Sequence, residues 1–208
     1  MNLLIVGANG KTGRALVQLA HELGHVVTAL VHHQPTQPIH GARILFGDAR
    51  DPRLLESAVT GQHAIIDTIG TRRPFLKTTL ETDVGRLLIE AMRRHSIRRI
   101  VAVSSIGVGD SVVNVPVFFR VLMPIFFRGA ILPDKEGMEI QLQHSDLDWT
   151  IVRPAGLTDG PRTNSVRIFT PASHRHVRRI ARKDVAAFIL DHVTDTDLYQ
   201  KIVGIATE

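Results

Sequence analysis

The stretch GANGKTGR, residues 7–14, follows directly on the apolar run NLLIV at residues 2–6, and no other part of the chain constrains its fold as strongly. Gly7, Gly10 and Gly13 sit where a strand-like segment gives way to helical spacing, with Ala15, Leu16, Leu19, Ala20 and Leu23 recurring at helical intervals up to Gly24. At such a junction glycine lets the backbone turn tightly and approach a ligand, while the helix N-terminus offers unpaired N–H groups and a positive dipole end. The turn therefore reads as a pyrophosphate cradle. Its spacing is GxxGxxG, which is neither the GxGxxG of many dinucleotide-binding proteins nor a phosphate loop of the GxxxxGK[ST] kind.

The same alternation continues along the chain. HVVTALV (25–31), ARILFG (42–47), HAIIDTIG (63–70), IRRIVAVSS (97–105), DWTIVRP (148–154) and KIVGIAT (201–207) read as further strands. Helices are expected from Pro52 to about Gly61 behind an Asp51 N-cap, over 79–94, over 134–145 and through KDVAAFILDHV (183–193). Nearly all-apolar strands alternating with helices imply parallel strands covered on both faces. We expect one doubly wound Rossmann-type α/β domain spanning residues 1–208, with a parallel sheet of about seven strands and its ligand at the strands' carboxyl ends.

Composition excludes several functions. With no cysteine there are no disulfides or thiolates, and the eleven histidines form no HExxH or comparable spacing, so no metal site is expected. The net charge of +5 comes from runs such as Arg93-Arg94-His95, Arg98-Arg99 and Arg175 to Lys183. No helix-turn-helix, zinc finger or RNA-recognition motif accompanies them, so nucleic acid is not the expected partner. Met1 leads straight into the first strand with no basic n-region or cleavage site, so a cytoplasmic chain is expected; a monomer or homodimer is expected as well.

An acid at the end of the second strand would accept from a ribose 2′-hydroxyl and repel a 2′-phosphate. Here that strand ends in Val31-His32-His33, and Lys11 and Arg14 stand close by in the loop. The charge favours NADPH over NADH, with the two histidines as 2′-phosphate ligands or as an exposed loop pair. Asp48, followed by Ala49, is placed to accept from an adenine amino group or to cap a turn, and Gly70-Thr71-Arg72 follows the fourth strand where a nicotinamide would lie.

With GANGKTGR, GDARD, GTRRP, AVSSIGVGDS and DWTIVRPAGLTDGP in this order, the whole chain resembles the atypical short-chain dehydrogenase/reductases with NmrA-like Rossmann folds, and within them the biliverdin-IXβ reductase/flavin reductase branch. The resemblance implies an NADP cofactor in an extended cleft. Gly7, Asn9, Gly10, Lys11, Thr12 and Gly13 would hold the pyrophosphate, Asp48 the adenine, and Ser104-Ser105 the nicotinamide, with Pro154, Ala155 and Leu157 also among the cofactor-binding residues. Ser105 matches the branch's active-site serine. Two positions depart from the pattern: His32 stands where the branch has a 2′-phosphate-binding arginine, and Gly156 replaces an active-site histidine.

The Tyr/Lys dyad of classical carbonyl reductases is missing, since the single tyrosine, Tyr199, lies near the C-terminus without a lysine four residues on. Hydride delivery to a flavin, quinone or tetrapyrrole needs no such acid, because the protein need only hold both rings in contact. Lys135 is a second candidate for the chemistry, as an anion ligand or proton donor, or else a surface residue. The segment 112–132 carries Phe118, Phe119, Phe126 and Phe127 and is interrupted by Pro116, Arg120, Pro124 and Arg128, so it is read as a lid or substrate wall, or as core, and not as a membrane span. Two rivals to the reductase follow: an NADP-binding redox sensor, and an assembly factor acting through the Phe-rich segment.

Overall fold

A computed structural model of the chain describes residues 1–71, 76–115, 131–170, 177 and 179–207. In chain order the elements are β1 (Asn2–Val6), α1 (Lys11–Glu22), β2 (Val26–Val31), β3 (Ala42–Phe46), α2 (Pro52–Val59), β4 (Ala64–Asp67), α3 (Leu80–Arg94) and β5 (Arg99–Val103). A 3₁₀ turn (Gly109–Asn114), α4 (Ile131–Gln143), β6 (Asp148–Pro154), β7 (Gly156–Thr158), β8 (Val166–Phe169), β9 (Arg179–Ala181), α5 (Arg182–Asp191) and β10 (Lys201–Thr207) complete them.

The main sheet has eight strands in the order β3-β2-β1-β4-β5-β6-β10-β8. The seven expected strands are all present and parallel; the eighth, β8, runs antiparallel to β10 and closes one edge. Its short VRIF segment, bounded by polar residues, offered too little pattern to be read as a strand. β7 and β9 form a separate parallel pair.

Alternation along the strands builds two cores. Leu3 and Ile5 face one layer, with α1 and α5, while Leu4 and Val6 face the other, with α2, α3 and α4. At about 1.5–3 kcal/mol for each fully buried aliphatic side chain, β1 anchors the sheet from both sides. The chain winds outward through β2 and β3 and returns to place β4 beside β1, so the switch point lies between these two strands. β4 ends at Asp67, earlier than the apolar run suggests, because the Asp67 Oδ1 accepts the Ile69 N–H at 2.9 Å and turns the chain.

Candidate functional site

The glycine turn is built by backbone packing. Gly7 has φ +79°, and the N–H groups of Gly7 and Ala8 both donate to the Leu30 carbonyl at 3.2 Å, locking the turn to β2. A Cβ on Gly7 would lie 2.9 Å from the Thr68 carbonyl carbon and oxygen, and one on Gly13 would lie 2.5 Å from the Gly7 oxygen and 2.7 Å from the Ala8 Cα. Gly13 thus lets α1 start directly against the end of β1. Gly10 is the N-cap of α1, and no side chain caps the helix there. The helix therefore opens with N–H groups for which its own backbone holds no acceptor, facing the turn. These are the features a pyrophosphate requires, and the residues present fit one.

The polar side chains of the turn are braced from outside. The Arg14 guanidinium donates to Asn9 Oδ1 and to the Gln37 carbonyl, both at 2.8 Å, and to the Pro38 carbonyl at 3.3 Å, tying the loop after β2 to the cradle. Lys11 Nζ is 2.5 Å from Asp159, whose other oxygen accepts from Arg182 at 2.5 Å. Asp159 and Arg182 were not anticipated, since nothing in the sequence places the segment after β7 beside the first glycine turn. Thr12 is half-buried in the first turn of α1.

At the carboxyl ends of β2 and β3, His32 Nδ1 lies 2.9 Å from His33 Nε2, and His32 Nε2 lies 3.8 Å from Asp48. Asp48 is gripped by Arg50 through both oxygens, at 3.1 and 2.7 Å. That paired hydrogen bonding holds the Asp48 carboxyl down to about 2. Ala49 is buried beneath it. Arg50, exposed and two residues past the expected acid, is a cation that the reading of His32 as the 2′ position overlooked.

On the other side of the switch point the Thr68 hydroxyl donates to the Val6 carbonyl at 2.8 Å, and a Cβ on Gly70 would meet no atom of the described residues within 4 Å. Thr71 is half-buried. The end of β5 brings Ser104 and Ser105 to the same edge. Ser104 is buried and its hydroxyl has no hydrogen-bond partner among the described residues, whereas the Ser105 hydroxyl donates to the Ile106 carbonyl at 3.0 Å. Pro154 and Ala155 are buried at the end of β6, with the Pro154 carbonyl accepting from Ile106, and Leu157 is exposed on β7. Arg72 and residues 116–130 of the Phe-rich segment lie outside the described residues.

Lys135 is not a surface residue. Its Nζ donates to Glu81 Oε2 at 2.6 Å, with side-chain exposures of 10% and 1%. Asp67 is buried within electrostatic reach of both. Asp134 caps α3, accepting from the Glu81 and Thr82 N–H groups at 3.1 and 2.8 Å. Burial pushes the Glu81 carboxyl up to about 7, against the opposing pull of Lys135, and burial pushes Asp67 up to about 6. Two helical glycines bring these groups together: a Cβ on Gly137 would meet Thr82 Oγ1 at 2.4 Å, and one on Gly85 would meet Met138 at 3.0 Å, so α3 and α4 approach closely.

The basic runs have local partners. Arg93 binds Asp146, Arg94 binds Glu56, Arg98 binds Asp148, and Arg99 is buried, donating to the Val193 and Asp148 carbonyls and to Thr150. Tyr199 stacks under the Arg99 guanidinium at 4.7 Å, at the amino ends of the strands and far from the glycine turn. Among the described residues no cluster of three metal-type ligands occurs, and no helix is long and apolar enough to cross a membrane.

Sheet order, switch point and glycine turn define a Rossmann-type dinucleotide-binding protein. The chain belongs to the NAD(P)H-binding family, whose model matches residues 7–196. It is 28% identical to the photosystem II assembly factor Ycf39 of Trieres chinensis over 91% of this chain and 59% of that protein. The chain spans less than two thirds of the first curated relatives it matches. Among solved structures it is similar to ChuY, an anaerobilin reductase from Escherichia coli O157:H7, with 26% identity, a TM-score of 0.81, and 100% and 97% of the two chains covered. A short-chain dehydrogenase/reductase of Veillonella parvula in complex with NADP shares the fold, at 18% identity and a TM-score of 0.84, over 99% and 94% of the chains.

Proposed function

We propose that the protein is a cytoplasmic reductase that uses NADPH in preference to NADH to reduce a flat conjugated acceptor of the flavin, quinone or biliverdin type. The bound nicotinamide would supply the hydride. The observation that carries the reading is the pairing, at the carboxyl edge of the sheet, of an uncapped glycine turn with the buried hydroxyl of Ser104, which has no partner among the described residues. The first turn of α1 would take the pyrophosphate, and His32, Arg50 and Lys11 supply positive charge for a 2′-phosphate, the last two as full cations. Asp48, already committed to Arg50, then acts on the adenine side by positioning that arginine as well as by accepting. Ser104 would orient the nicotinamide amide, leaving Ser105 toward the acceptor. Tyr199, at the opposite end of the sheet, takes no part. The likeness to ChuY supports a tetrapyrrole-sized acceptor.

A second reading, an assembly factor that binds the nucleotide without turnover, draws on the likeness to Ycf39. Mixing the protein with NADPH or NADH and following absorbance decay on addition of FMN, riboflavin, a quinone or biliverdin separates the two, with Ser105→Ala alongside. Turnover faster with NADPH and slowed in Ser105→Ala supports the reductase. Nucleotide binding with no decay for any acceptor overturns it in favour of the second reading.

A further inference from the structure

Asp67, Glu81 and Lys135 come from three different elements, β4, α3 and α4, and meet in a nearly dry space. Asp67 is the last residue of the strand at the switch point, in register with Val6 of β1 and Ala102 of β5. Val6 precedes the glycine turn, and Ala102 lies two residues before Ser104. The Asp67 carboxylate also holds the Ile69 N–H, so it braces the turn that leads into Gly70 and Thr71, the segment expected at the nicotinamide half. Among the described residues the charged groups around it are few: Glu81 on α3, and Asp134 and Lys135 on α4. Asp134 has both oxygens on the N-terminus of α3, whose dipole offsets its charge. That leaves two buried carboxyls for one ammonium. With both carboxyls ionised the cluster carries an uncompensated negative charge in a medium that disfavours it; with one proton bound it is neutral.

We propose that this cluster is a one-proton store whose occupancy is tied to the charge of the nicotinamide ring, holding its proton beside the neutral reduced ring and releasing it beside the cationic oxidised one. The inference rests on the reading of the switch point as a nicotinamide site. It also completes the stoichiometry of the reduction: the acceptor gains a hydride from the nicotinamide and one proton from the cluster, and the cluster reloads from water after the oxidised nucleotide leaves. Lys135, the most exposed of the three, is the point of exit. Asp67 and Glu81 act through it and are positioning residues. The raised carboxyls of Glu81 and Asp67 agree with a store that exchanges its proton near neutrality.

The test measures Kd for NADP⁺ and for NADPH by calorimetry across about pH 5.5 to 8.5, a window that brackets buried carboxyls of this kind. The 2′-phosphate, which titrates near about pH 6, is common to both nucleotides and cancels in the ratio of the two constants. A unit charge about 10 Å from a partly buried partner, at an effective dielectric of about 20, changes an equilibrium about ten-fold. In the unmodified protein the ratio Kd(NADP⁺)/Kd(NADPH) falls by about that factor as pH rises through the window. In Glu81→Gln, where Asp67 and Lys135 remain as a neutral pair, the ratio stays flat. Asp67→Asn gives the same flat line and serves if Glu81→Gln does not fold. A ratio independent of pH in the unmodified protein, with both nucleotides bound, overturns the store and leaves the nucleotide site standing. Failure to bind either nucleotide overturns the site reading, and the store with it.

Discussion

Gly13 is the position at which geometry separates a structural glycine from a ligand-binding one. An alanine there places its Cβ 2.5 Å from the Gly7 oxygen and 2.7 Å from the Ala8 Cα, where ordinary contact begins at 3.4 Å. Both neighbours are backbone, so no rotamer relieves the clash; the turn between β1 and α1 must open by about 0.9 Å. Overpacking of that kind costs about 1–3 kcal/mol, partly offset by the roughly 1 kcal/mol of helix propensity that alanine gains over glycine, so the loss of stability is at most about 2 kcal/mol. Binding suffers more. A donor displaced by that distance no longer reaches its acceptor, and hydrogen bonds to a charged group are worth about 1.5–3 kcal/mol each. Loss of two such bonds predicts at least a hundred-fold weaker NADPH affinity, by about 3 kcal/mol or more. Fluorescence titration with NADPH, beside urea unfolding of the same samples, measures both quantities. Gln18→Ala, on the exposed face of the same helix, is the control. An unchanged Kd in a folded Gly13→Ala protein would show that α1 does not hold the pyrophosphate.

Glu81 has an ordinary value of 4.5 and is raised to about 7 in the folded protein, so its contribution to stability is fully present below about pH 4.5 and is lost as pH rises through about 7. That is about 3 kcal/mol, and Glu81→Gln should remove this part of the slope; parallel urea-midpoint curves for the two proteins would contradict the assignment. Gly137→Ala should destabilise by about 1–3 kcal/mol because its Cβ meets Thr82 Oγ1 at 2.4 Å, a loss that Thr82→Ala in the same chain should largely restore in thermal unfolding. Arg50→Ala should let the Asp48 carboxyl rise from about 2 toward its ordinary 3.8, seen by carboxyl NMR titration, and should weaken NADPH more than NADH; equal weakening would remove Arg50 from the 2′ position.

The parallel sheet was legible because its signals are local. The apolar runs at 2–6, 148–154 and 201–207 match β1, β6 and β10 residue for residue, and the Asp51-Pro52 pair marks the start of α2, with the Asp51 side chain accepting the Arg53 N–H. The glycine turn was legible for the same reason, since Gly7, Gly10 and Gly13 lie within seven residues. What escaped depends on contacts distant in sequence. Lys135 and Glu81 are separated by 54 positions; the sequence left Lys135 open between anion ligand, proton donor and surface residue and did not single out Glu81, and only the close crossing of α3 and α4 makes them a buried pair. Asp159 and Lys11 meet across 148 positions. Asp67 was the one long-range participant with a local trace, an acid closing an otherwise apolar strand, and its burial could have been suspected from that.

The bridge from Lys11 through Asp159 to Arg182 changes what occupancy of the glycine turn means. A phosphate that docks there meets a lysine already engaged, so its arrival is an exchange of one anion for another rather than the filling of an empty socket. The net gain is the difference between two attractions, which added salt weakens together. Asp159 keeps its bond to Arg182 through that exchange, so the segment after β7 stays tied to α5 while the lysine turns to the phosphate.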